Sequence, residues 1–101
     1  MTRRTGESLR RTEAEIVAEK ASTLGRAGER LEQALRDARA ALARLEAGGA
    51  SGARAERLAE YEQARARVAD ARLILIIQRE AVGLRNHRVA DQQFPEPPPR
   101  S

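Results

Sequence analysis

A repeat of apolar or small residues at alternating spacings of three and four runs through the first half of the chain. It comprises Ala14, Val17, Ala21, Leu24, Gly28, Leu31, Leu35, Ala38, Leu42 and Leu45. A period of 3.5 residues is typical of the seam of a coiled coil, where one stripe of a helix packs against a neighbouring helix. A helix cannot bury its own stripe. The repeat therefore predicts a long helix that requires a partner helix.

The chain supplies that partner after the glycine-rich segment AGGASG at residues 47–52. Three glycines within five residues disfavour helix and permit a chain reversal. The three-four spacing then resumes at Leu58, Tyr61, Ala64, Val68, Ala71, Leu75, Gln78, Val82 and Val89. We predict an all-α fold, a coiled-coil-like antiparallel two-helix hairpin, as a single domain over residues 1–92. Its helices are expected at about 8–47 and 53–91, with the turn at 48–52.

Residues 93–101 form a proline-rich tail, with four prolines in positions 95–99. Proline lacks a backbone N–H and cannot continue a helix, so the second helix must end before the tail. The tail either has no fixed structure, merely stops the helix, or lies over the bundle through Phe94. Pro95, Pro98 and Arg100 also form a P-x-x-P-x-R arrangement, which a polyproline-reading groove of another protein could accept. We favour a tail without such a partner, because proline-rich ends produce this motif easily.

The second helix contains RLILIIQREAVGLRNH at residues 72–87, the densest apolar block of the chain. Five successive apolar residues point around the whole circumference of a helix, so one partner helix covers only some of them. A chain of 101 residues offers no further wall. We therefore predict a homodimer or higher oligomer that completes a helical bundle. Its interface residues are expected to be Leu73, Ile74, Leu75, Ile76, Ile77 and Val82.

Gly25 and Gly28 lie across the predicted hairpin from Leu75. Glycine in a helix interior costs about 1 kcal/mol relative to alanine, so two of them invite a packing explanation. We expect them to provide room for the apolar block of the second helix.

Polar side chains adjoin the block. The candidate polar site consists of Lys20, Arg26, Gln78, Arg79, Glu80 and Arg85. In one interpretation these residues form an enzyme site between subunits, in which arginine binds a carboxylate or phosphate and Glu80 or His87 moves protons. In the other, Gln78 fixes the helix register while Arg79 and Glu80 pair with charged residues of the other helix or subunit. No spacing here requires catalysis, so we favour the structural interpretation and expect no catalytic residue.

His87 is the only histidine, and the chain has no cysteine. A zinc site uses several such ligands, so we expect neither a metal nor another cofactor. The interpretation we favour for His87 is a solvated or helix-capping side chain.

The N-terminus carries a local excess of positive charge. Residues 1–11 contain a candidate basic arm, Arg3, Arg4, Arg10 and Arg11, against one glutamate. Such an arm could bind nucleic acid or an acidic partner, but no aromatic residue for base stacking is nearby. We therefore expect a solvated helix end and do not expect nucleic-acid binding.

The longest strongly apolar run has five residues, far below the roughly 20 that a membrane span needs. The N-terminus also lacks the apolar core of a signal peptide. We expect a cytoplasmic protein that makes no membrane contact. Its partner is expected to be a second copy, or else a different protein, and its function that of a non-enzymatic structural or interaction module.

Two segments, EKASTLGRAGERLEQAL at residues 19–35 and LIIQREAVGLRNH at residues 75–87, resemble a group of short uncharacterised bacterial helical proteins. The shared patterns are E-K-x-x-x-L-G-R-x-G and Q-R-E-A-x-G-L-R, followed by a proline-containing end. The resemblance implies no particular activity. It draws attention to Lys20, Gly25, Arg26, Gly28, Gln78, Arg79, Glu80, Gly83 and Arg85.

Overall fold

The fold is a long helical hairpin followed by a short third helix and an extended tail. The computed structural model describes residues 2–48 and 51–101, with the side chains of residues 6–48 and 53–101. Helix α1 spans Thr2–Ala47, α2 spans Ser51–Ala81 and α3 spans Arg88–Gln93. The two long helices pack against each other, and no strand occurs in the two described ranges. The predicted all-α hairpin is confirmed.

The core is one seam between α1 and α2. The buried residues of α1 are Ala27, Leu31, Ala34, Leu35, Ala38, Ala41 and Leu45, and those of α2 are Tyr61, Ala64, Val68 and Leu75. Leu24, Leu42, Leu58 and Ala71 pack against this cluster with partial burial. The three-four spacing therefore identified the contacting faces of α1 from Leu24 to Leu45 and of α2 from Leu58 to Leu75, although it did not include the buried Ala27, Ala34 and Ala41. Alanine is frequent in the seam, which lets two helices approach closely.

Helix α1 extends well beyond the end of α2. Val17, Lys20, Ala21 and Leu24 lie beside Ala81 and Val82, where α2 ends. Residues 2–16 lie beyond that level and form what we call the overhang, about 22 Å of single helix. The predicted seam positions in and near this part, Ala14, Val17 and Ala21, are exposed. Helix α1 also begins at Thr2, earlier than the expected residue 8.

Helix α2 ends at Ala81 and does not continue to residue 91 as predicted. Gly83 adopts a φ of 90°, the left-handed conformation that glycine tolerates best. The Leu84 N–H donates to the Arg79 carbonyl at 2.9 Å, and the Gly83 N–H donates to the Glu80 carbonyl at 3.0 Å. These two bonds form a Schellman motif, which terminates the helix. Val89, which was predicted to lie in the seam, is consequently exposed on α3.

Gly25 and Gly28 do not provide room for the apolar block, so that prediction is wrong. A Cβ atom added at either position would meet nothing within 4 Å. Gly25 is exposed and Gly28 is half-buried. The expectation failed because both lie beside the seam, where the single chain places no side chain against them.

The proline-rich tail lies along the hairpin. Phe94 is buried in the core cluster, and Pro95, Pro97 and Pro98 line a groove together with Leu35, Ala38 and Leu42 of α1. The tail runs back towards the turn, since Arg100 near its end contacts Glu46 near the end of α1. Of the three interpretations left open by the sequence, the structure shows a tail that lies over the bundle through Phe94.

Candidate functional site

The five apolar residues of the block divide between two sides of α2. Leu75 is buried in the seam and Ile76 is half-buried, whereas Leu73, Ile74 and Ile77 are 59%, 41% and 53% exposed. We call these three exposed residues the outer face of α2. The sixth predicted interface residue, Val82, is half-buried beside α1 and does not belong to this face.

Acidic residues border the outer face. Asp70 lies three residues before Leu73, and Glu80 lies three residues after Ile77, so each shares a side of the helix with its apolar neighbour. Both carboxylates belong to exposed residues. The outer face is thus an apolar strip with a negative charge at each end.

The overhang exposes a second apolar strip. Leu9 and Ile16 are 58% and 48% exposed and lie two helical turns apart, and neighbouring Val17 is also exposed. Arg10 and Arg11, the members of the predicted basic arm whose side chains are described, are exposed beside this strip. The side chains of Arg3 and Arg4 lie outside the described residues. The chain therefore exposes one apolar strip bordered by carboxylates and another flanked by charges of both signs, because Glu13 lies between Leu9 and Ile16 on the same side of the helix.

The predicted polar site does not assemble as one cluster. Arg79 donates from Nε to His87 Nδ1 at 3.2 Å and from Nη2 to the Asn86 carbonyl at 2.8 Å. His87 Nε2 lies 3.1 Å from Glu80 Oε1. Because Nδ1 accepts from Arg79, the neutral ring carries its proton on Nε2 and donates it to Glu80. These groups hold the loop between α2 and α3 against the end of α2.

The other members of the predicted polar site lie apart from this network. Arg26 bonds within its own helix, to Ser22 Oγ at 2.6 Å and Thr23 Oγ1 at 3.1 Å. Lys20 lies beside the end of α2, while Arg85 is exposed in the loop. Gln78 is half-buried on α2. Of six residues, the structure joins only Arg79 and Glu80, through His87, which supports a structural role for this pair.

A row of hydrogen-bond donors on α2 faces the tail. None of these donors is among the predicted site residues. Arg72 Nη2 donates to the Phe94 carbonyl, the Tyr61 hydroxyl donates to the Pro98 carbonyl, and Arg54 Nη2 donates to the Ser101 carbonyl at 3.0 Å. The prolines of the tail lack N–H groups, so the backbones of four of the five residues at positions 95–99 can only accept hydrogen bonds. The donors of α2 match that requirement.

Two further groups complete this groove. Glu46 of α1 accepts from Arg100 Nη2 at 3.0 Å, so a carboxylate receives the arginine of the tail. Arg65 lies four residues after Tyr61 and seven before Arg72, on the same side of α2. Its Nε atom is buried without a hydrogen-bond partner among the described residues. The spacing of seven, four and seven from Arg54 to Tyr61, Arg65 and Arg72 places these side chains on one side of α2, but it does not indicate what they contact.

Searches for a metal site, a membrane span and known relatives give no positive result. Among the described residues, no group of three histidine, cysteine, aspartate or glutamate side chains is arranged to hold a metal ion. None of the described helices is both long and apolar enough to cross a bilayer. No protein family, curated protein or solved structure gives a significant match to this chain. The resemblance to short bacterial helical proteins therefore stays a prediction.

Proposed function

We propose that this protein is a non-enzymatic interaction module that associates with a second copy of itself through the outer face of α2. The observation that carries the proposal is the exposure of Leu73, Ile74 and Ile77 as one strip on a hairpin whose seam is already filled. A contiguous exposed strip of large apolar side chains marks an interaction surface in most proteins. A cytoplasmic location belongs to the same proposal.

The overhang supports a second copy as the partner. In a two-fold symmetric dimer, a contact between the outer face of one copy and the overhang of the other is repeated with the two copies exchanged. The carboxylates of Asp70 and Glu80, which border the outer face, are complementary in charge to Arg10 and Arg11 of the overhang. The side chains of residues 7–16 are exposed, so pairing with a second copy would also add packing that stabilises this part of α1.

The polar groups of the chain support a non-enzymatic role. Arg79, Glu80 and His87 bond to one another and to the loop that follows α2, which leaves them engaged in holding that loop. No described cleft gathers these groups around an open space together with Lys20 or Arg26.

Sedimentation velocity of the purified protein from 1 to 200 μM tests this proposal. We expect a dimer or larger species whose fraction rises with concentration. Ile77→Asp and Leu73→Asp should each shift it towards monomer by at least about tenfold in dissociation constant, because an unpaired carboxylate would be forced into an apolar contact.

Val89→Asp is the matched control, since Val89 is as exposed as Leu73 but lies on α3. It should leave the association unchanged. A folded wild-type monomer across the whole concentration range would contradict the proposal, and so would Ile77→Asp and Val89→Asp having equal effects.

A further inference from the structure

The groove that holds the tail has the composition of a peptide-binding site. Its floor is apolar, formed by Leu35, Ala38 and Leu42, and donors from α2 border it. Grooves that recognise polyproline combine apolar surface with aromatic residues whose polar groups bond to proline-flanked carbonyls. Tyr61 is fully buried in the groove and makes this type of bond to the Pro98 carbonyl.

The donors of α2 are spaced along an extended chain. Arg54 and Arg72 lie about 27 Å apart along the helix, with Tyr61 between them. The carbonyls that they bind, of Ser101 and Phe94, lie about 22 Å apart in a polyproline-type chain, a difference within the reach of an arginine side chain. The helix therefore binds an extended segment at intervals of three to four residues, whatever side chains lie between.

The groove is not fully satisfied by the tail that occupies it. Arg65 lies on the donor side of α2, and its Nε atom is buried with no hydrogen-bond partner among the described residues. A buried donor without an acceptor costs free energy that a better placed carbonyl or carboxylate would recover. The tail is thus an adequate occupant that leaves one recognition group unused.

We propose that this groove binds extended proline-rich segments of a partner protein that end in arginine, and that the tail is its tethered competitor. Glu46 selects the arginine, and Leu35 and Leu42 contact the prolines. The donors of α2 bond to backbone carbonyls, which a proline-rich segment supplies whatever its other side chains are. The P-x-x-P-x-R arrangement of the tail is then the internal copy of the ligand. This proposal uses a surface separate from the outer face of α2 and does not depend on self-association.

The test uses a fluorescent peptide of residues 93–101, QFPEPPPRS, and the full-length chain. In the wild type the tail competes at the high effective concentration that a short connection gives. The double variant Phe94→Ala/Arg100→Ala weakens the tail without touching the groove. We expect it to bind the peptide at least about tenfold more tightly than the wild type, and we expect the peptide to raise its melting temperature.

Two groove variants in the same background separate recognition from general stability. Tyr61→Phe keeps the ring but removes the hydroxyl donor, so affinity should fall about fivefold. Glu46→Arg should reverse the preference, so that a peptide with glutamate in place of its arginine binds about threefold more tightly than QFPEPPPRS. Ile77→Asp, outside the groove, should leave peptide binding unchanged.

If the double variant does not fold, NMR titration of the wild type with millimolar peptide replaces it. The amide signals of Arg100 and Ser101 should then move to the positions of a free tail. Absence of binding to the folded double variant, or of displacement in the wild type, would overturn the proposal. The proposal would also be overturned if the double variant formed a dimer and did not bind the peptide, since a second copy of the chain would then occupy the groove.

Discussion

The two ends of the hairpin differ although the same helix runs through both. Near the turn, α1 is covered by α2 and by the tail, and Leu31, Leu35 and Ala38 are almost inaccessible to solvent. In the overhang, Leu9 and Ile16 remain about half exposed, and Val17 just beyond it is 66% exposed. Both parts carry apolar residues at helical spacing, so the periodic pattern alone does not determine burial. The difference teaches that a three-four repeat predicts which side of a helix would be covered, while the partner decides how far along the helix this happens.

The largest expected difference in stability comes from shortening one leucine to alanine in each of the two regions. Leu31→Ala should lower the free energy of unfolding by about 2–5 kcal/mol, because it opens a cavity in the seam. Leu9→Ala should change it by less than about 0.5 kcal/mol, because Leu9 is 58% exposed and lies outside the seam. Urea denaturation at low micromolar concentration measures both. An equal loss for the two variants would show that the overhang is covered in solution.

Two glycines, Gly83 after the end of α2 and Gly25 within α1, offer a smaller contrast of opposite sign. Gly83→Ala should destabilise the protein by about 1–2 kcal/mol, since φ at this position is left-handed. Gly25→Ala should stabilise it by about 0.5–1 kcal/mol, because the added methyl group meets nothing and helix propensity rises. Thermal unfolding of both variants tests the signs. A destabilising Gly25→Ala would indicate close packing at that position by a second copy.

The smallest effect is expected at the end of the tail near the turn. Arg100→Ala removes the ion pair with Glu46. The Arg100 side chain is 38% exposed and the Glu46 side chain is 55% exposed. Exposed pairs contribute about 0.2–1 kcal/mol, and salt screens them. The variant should therefore lose less than about 1 kcal/mol in dilute buffer, and the difference should vanish in 1 M NaCl. A loss that persists at high salt would mean that the arginine stabilises the tail by packing.

The sequence predicted the parts of the fold that depend on local pattern. The repeat identified the seam from Leu24 to Leu45 and the glycine-rich segment identified the reversal, because both follow from the preferences of single helices. The end of α2 was placed too late. Gly83 reads as an ordinary interior residue unless the Schellman hydrogen bonds to Arg79 and Glu80 are anticipated.

The candidate site was predictable only in part. Exposure of some of the apolar block followed from five consecutive residues on one helix, but which of them face solvent depended on where α1 lies. The donor row was missed since each donor is separated from its acceptor by many residues, 37 in the case of Tyr61 and Pro98. Local spacing carries no information about such a contact. The prediction that Gly25 makes room for the apolar block failed for the same reason. Being opposite Leu75 along the hairpin does not determine how either helix is rotated about its axis.

The placement of the two ends of the chain has a mechanical consequence. Residue 2 lies at the tip of the overhang, and Ser101 lies near the turn beside Arg54, so the chain ends are at opposite poles of a rod whose long dimension is 76 Å. A pull between them acts along the rod and parallel to the tail. The bonds from Arg72, Tyr61 and Arg54 would then be loaded in shear, all at once, rather than opened one after another. Stretched end to end, this small hairpin should resist force better than its equilibrium stability suggests, since rupture depends on the barrier to unfolding.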